Sequence, residues 1–289
     1  MRIFSYRHTI RHITIITVLT FFLTTCSSTR FIYTFVDEFI KDEVNFFFDL
    51  DDEEDKFFLN QQVSAMVNWH RTSMLPKYAD YLNNIADKLE DGQYTNTYIS
   101  KYLANGKSLI EETITGLVPY ASRFLIQYQT VETIELIENK MLNRRQERII
   151  ELSKPDDFLY EKRLERLTSN FERFFGELKD SQVRLLEAHT RKTLYESRVR
   201  LHNRTLRQKV FIRFLKTQPT EVELTTYLNK LLLQGHMITN PSYQTFSKVS
   251  LGRFHDLLVS LLALSSTVQR ETIVNKLRKY ADDFKAISE

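Results

Sequence analysis

Cysteine is almost absent: Cys26 is the only one in 289 residues. An intramolecular disulfide and a site built from several thiolates are both excluded. The six glycines and five prolines are also far fewer than average usage. Sandwiches, barrels and glycine-rich phosphate loops all need many special backbone positions, so the scarcity argues against them. There is no G-x-S-x-G elbow, no Walker pattern and no H-E-x-x-H. No segment alternates with period two for long enough to suggest a sheet. What is present in quantity is hydrophobic residues, 42% of the chain, with 21 phenylalanines and 14 tyrosines. Long helices around a real core account for that composition.

The N-terminus reads as a leader. Arg2, Arg7 and Arg11 precede an apolar run, ITIITVLTFFL, at residues 13–23. As a helix this run rises roughly 16 Å, about half a hydrocarbon core, so it is too short to span and fits a secretory signal. No paired arginine points to twin-arginine export. The LTTC that follows, at residues 23–26, resembles the lipobox of bacterial lipoproteins, with Thr25 where that pattern prefers a smaller residue. The resemblance implies that residues 1–25 are removed and that Cys26 becomes an acylated N-terminus. Several acyl chains form a durable anchor without a spanning helix. Ser27 rather than aspartate follows the cysteine, which by the same resemblance implies the outer membrane, facing the periplasm.

Removing the leader changes the electrostatic reading. It takes three arginines from the 40 Lys+Arg and leaves 37, equal to the 37 Asp+Glu. The basic balance belongs to the leader, and no nucleic-acid partner is expected. Charge is nevertheless segregated. Residues 37–56 hold ten acids and two lysines, and residues 181–216 hold ten basic residues and two glutamates. The basic stretch is expected to be a solvated helix face, partly matched by the acidic one, rather than a phosphate site.

Helical periodicity continues through residues 26–289, and prolines mark its expected stops. Helices are predicted over about 30–48, 53–75, 78–90, 95–117, 130–153, 156–178, 181–216, 221–233, 243–264 and 267–287. Pro76 and Pro119 are expected to end helices. The fold expected is an all-α multi-helix bundle in one domain, with two helical halves divided near residue 155. The long helix at 181–216 allows an elongated shape.

The densest constellation is NWHRTSMLPKYADYL at residues 68–82, which holds the only tryptophan. Leu59, Val63, Met66, Val67, His70 and Met74 share one face by i, i+3, i+4 spacing, which places His70 on or beside the buried stripe. Trp69, His70 and Arg71 are expected to brace a helix–Pro–helix corner by packing and by bonding freed carbonyls. The sharper reading makes His70 a general base with Arg71 holding an anion, but no nucleophile is indicated nearby. Trp69, His70, Arg71, Leu75, Pro76 and Tyr78, preceded by Gln62 and the Asp49–Leu50 pair, resemble the shared pattern of the DUF6279 family of uncharacterised bacterial lipoproteins. That resemblance implies an all-α lipoprotein and no particular activity.

Metal sites fare no better. The DLDDEEDKFFLN segment at residues 49–60 has acids at three EF-hand positions, but Glu54 replaces the glycine and Asn60 the final glutamate. An N-cap at Asp51 or Asp52 explains the acids. No metal or cofactor is expected. The function expected is that of a binding or scaffold module, anchored to the membrane through its N-terminal lipid and serving an envelope protein, a peptide or a lipid. The alternative is an envelope-polymer hydrolase or transferase using His70 and Arg71.

Overall fold

A computed structural model describes residues 28–289; the expected leader, with its apolar run, and Cys26 lie outside them. The described chain is all-α, and no strand occurs among the described residues. In order the helices are α1 (Ser28–Tyr33), α2 (Val36–Phe48), α3 (Glu53–Trp69), a π turn (His70–Met74), α4 (Leu75–Glu90), α5 (Asn96–Leu125) and α6 (Val131–Leu152). There follow α7 (Asp156–Phe175), α8 (Asp180–Thr193), α9 (Glu196–Leu215), α10 (Glu221–Gln234), α11 (Ser242–Ala263) and α12 (Thr267–Ser288).

Local chemistry explains most helix starts. The Asp52 carboxylate accepts from the Glu54 amide at 2.7 Å, and Glu53, Glu54 and Asp55 fill the first turn of α3. The acidic cluster is thus a cap placed where the helix dipole favours negative charge. Thr220 with Glu223 and Ser266 with Gln269 form capping boxes at α10 and α12. Gly176 closes α7 at φ +72°, a backbone angle that other residues adopt only under strain.

Three of the expected boundaries differ. Pro76 does not end a helix: the chain runs through it, because the turn before it widens into a π turn. The Leu75 amide reaches back five residues to the His70 carbonyl. The extra residue carries the proline ring past the turn it would strike in a regular helix. Pro119 likewise lies inside α5, whose burial in the core outweighs the lost hydrogen bond. The expected 181–216 helix is broken at residues 194–195 into α8 and α9. Side chains on both sides of the break are held from outside. Arg163 donates to Thr193 Oγ1 at 2.7 Å, Tyr195 donates to Asp156 Oδ2 at 3.0 Å, and Arg198 reaches the Leu152 carbonyl at 3.1 Å.

Helix α5, about 45 Å long at 1.5 Å per residue, links three apolar cores. Ile99 and Tyr102 enter a core with α4, α7, α8, α11 and α12; Val118 enters one with α6, α9 and α10; Phe124 enters one with α3 and the Leu50 turn. Helix α4 packs along α12, α10 along α5, and α6 against both α2 and α9. The acidic segment is matched by α6 rather than by the basic 181–216 stretch: Glu43 pairs with Arg144 and Asp49 with Lys140.

Candidate functional site

The π turn lies at the centre of the sequence motif. Leu59, Val63, Val67 and Met74 are buried, as their spacing predicts, and Met66 and His70 are half-buried beside them. The His70 ring lies between two tyrosines: Tyr33 from α1, stacked at 6.1 Å between centroids, and Tyr78 from α4, at 5.7 Å. Burial lowers the His70 pKa below the ordinary 6.5, so the ring is neutral near pH 7. Burial likewise pushes the Tyr33 phenol up to about 12. That phenol stays protonated and shares a hydrogen bond of 3.0 Å with His70 Nδ1, whose direction follows the imidazole tautomer.

Arg71 points elsewhere. It is exposed and donates to Asn68 Oδ1 at 2.9 Å on its own helix. Its charge reaches the Tyr33 phenol beside His70, but its guanidinium bonds Asn68 rather than the imidazole. Leu75 is buried and Pro76 half-buried, and the partly buried Gln62 has an Oε1 with no hydrogen-bond partner.

The remaining motif residues key α3 and α4 onto α5. A Cβ added to Gly116 would stand 1.9 Å from the Trp69 ring, so the indole fills the space where a side chain would be. One added to Gly106 would stand 2.7 Å from the Tyr81 hydroxyl, which donates to the Tyr102 carbonyl at 2.9 Å. Between them Tyr78 donates to Thr113 Oγ1, whose own proton goes to the Leu109 carbonyl at 2.8 Å. Phe284 of α12 closes on the Tyr78 ring at 6.1 Å.

Beyond this aromatic wall lies an open cavity of about 890 Å³. Tyr78, Tyr81, Leu82, Leu103, Leu109, Ile114, Leu167, Phe254 and Phe284 form its apolar walls. Ile110, Leu232 and Leu251 line it too and are exposed, so its mouth has an apolar rim. Of the 68–82 constellation, Tyr78, Tyr81 and Leu82 line it.

At one end the wall is polar. The buried Glu196 carboxylate accepts from Arg200 at 3.0 Å, from Arg253 at 3.0 Å and from Ser250 at 2.7 Å. Burial opposes its ionisation, but these three bonds outweigh it and hold the carboxyl below the usual carboxylate range. Arg163 and His189 complete that end. Arg163 bonds Thr193 Oγ1 and no carboxylate, and burial presses down on its pKa. Burial, reinforced by the charge of Arg163, keeps His189 neutral.

The sequence model of a family of unknown function, DUF6279, matches residues 46–244, more than half of the chain. The chain belongs to the DUF6279 family. No curated protein and no solved structure matches it. The DUF6279 match takes in the motif, α5 and the polar end of the cavity as far as Arg200. Sequence reasoning found the motif and missed the cavity, whose walls come from helices far apart in the chain. One signal was readable: Glu196 is one of only two acids in the basic 181–216 stretch.

Proposed function

We propose that this DUF6279 protein is a binding module held at the periplasmic face of an outer membrane by lipid on Cys26, and that its ligand occupies the central cavity. The cavity carries the reading: about 890 Å³ of largely apolar space with one polar end is the form of a small-molecule site. Attachment at the N-terminus fits the first described helices. Phe31, Ile32, Phe35 and Phe39 are exposed just past the expected leader, and Ile32 and Phe39 share a cleft with Arg173 and Lys276, a pairing suited to a lipid headgroup region. No helix among the described residues is long and apolar enough to cross a membrane.

The alternative of an envelope-polymer hydrolase or transferase lacks comparable support. His70 is enclosed by tyrosine rings, and Arg71 is exposed with its guanidinium on Asn68. Two measurements test the proposal. Acyl labelling of the chain is lost in Cys26→Ser; labelling that survives contradicts the anchor. A solvatochromic apolar fluorophore binds saturably, and Ser247→Trp, at an exposed position on the cavity wall, blocks it. Binding that is unaffected by the plug contradicts the site.

A further inference from the structure

The ligand class can be read from the cavity's asymmetry, given the binding role proposed above. The lining residues Lys107 and Glu111 pair with each other. Arg163 and Arg200 then line one end against a single carboxylate, Glu196, which Arg253 also pairs with from outside the lining, so the polar end carries a positive surplus. Neither ring nitrogen of His189 has a hydrogen-bond partner among the described residues, so the imidazole is free to bond a ligand. Arg163 also lines an outer cleft of about 580 Å³ with Arg148, Lys154, Lys162 and Arg166 against Glu151 and Glu165, so the field around this end is positive on both sides.

The rest of the space is apolar and extends further. A second cavity of about 400 Å³ shares Tyr81, Leu103, Leu167 and Phe254 with the first and continues toward Phe171 and Phe174. A cationic end, a free hydrogen-bonding ring and a long apolar continuation match one kind of molecule.

We infer that the cavity binds a single-chain anionic amphiphile, its head against Arg163, His189 and Arg200 and its acyl tail running past Leu167 and Phe254. A fatty acid and a lysophospholipid share that chemistry and differ in offering a carboxylate or a phosphate. Arg163 is the selective contact, because its charge has no carboxylate partner of its own. The apolar walls supply affinity in proportion to tail length, about four-fold per methylene while the tail remains inside.

The test is photo-crosslinking of the full chain in its membrane. The probes are a diazirine-bearing fatty acid, a lysophosphatidic acid with the same tail, and the matching neutral alcohol, with adducts mapped by mass spectrometry. At least one anionic probe is expected to label peptides containing Leu103, Leu167 or Phe254, at least ten-fold more than the alcohol. The stronger anionic probe identifies the head as carboxylate or phosphate. Arg163→Gln abolishes the preference, Arg163→Lys restores most of it, and unlabelled competitors weaken with each methylene removed. Equal labelling by the alcohol, or a preference unchanged in Arg163→Gln, overturns the ligand class and leaves a cavity that binds apolar molecules. Absence of cavity adducts from all three probes overturns the binding site itself. Ser247→Trp, exposed and outside the charged cluster, must remove the adducts with the fold intact; adducts that survive it place the probe elsewhere and overturn the inference.

Discussion

At the residue scale, the clearest constraint is Gly116. The Trp69 ring occupies the place of its missing side chain, so Gly116→Ala forces the indole off α5. The expected loss is about 2–3 kcal/mol, in the range of overpacking a filled core, and the denaturation midpoint measures it. Glu196 is the second. Glu196→Ala leaves Arg200 and Arg253 without their counter-charge, costing about 2–3 kcal/mol; the arginines remain half-exposed, which keeps the loss below that of a fully buried charge.

Two of the half-buried histidines fix a pH dependence. His70 and His189 both have pKa values below the ordinary 6.5, so the unfolded chain binds protons more readily than the fold. Their contribution to stability is complete above that value and is lost as pH falls from about 6.5 through their folded pKa values. The melting temperature should decline over that window, and His70→Gln should flatten the decline. An unchanged slope in that variant would remove His70 from the account.

At the element scale, helix positions were largely legible because caps and periodicity are local. Asp52, Thr220 and Ser266 stand where their hydrogen bonds start α3, α10 and α12. Ser266→Ala should cost about 1 kcal/mol by chemical denaturation. The buried stripe of Leu59, Val63, Val67 and Met74 follows from spacing alone. The π turn before Pro76 does not, since the sequence says that proline disrupts a helix without saying whether the turn breaks or widens. The break at residues 194–195 was hidden too, because neither glycine nor proline marks it. The contacts that impose it come from Arg163, Asp156 and the Leu152 carbonyl, more than 28 residues away in sequence.

At the scale of the whole molecule, α5 joins three cores, and side chains of two of them line a space that no single segment encodes. The motif was visible as a cluster of unusual residues, but its role depends on what it packs against. Trp69, Tyr78 and Tyr81 hold α3 and α4 against α5, and Tyr78 turns one face of that joint into a cavity wall. The polar end draws Arg163 from α7, His189 from α8, Glu196 and Arg200 from α9 and Ser250 from α11. This assembly accounts for a carboxylate buried within an otherwise basic stretch, a feature that composition records without explaining.

The most direct measurement is anomalous diffraction from crystals of the full chain grown with a terminally brominated single-chain carboxylate. One bromine site is expected inside the apolar space near Leu167 and Phe254, with the carboxylate density against Arg163. Bromine only on the outer surface, or a head directed away from Arg163, would contradict it.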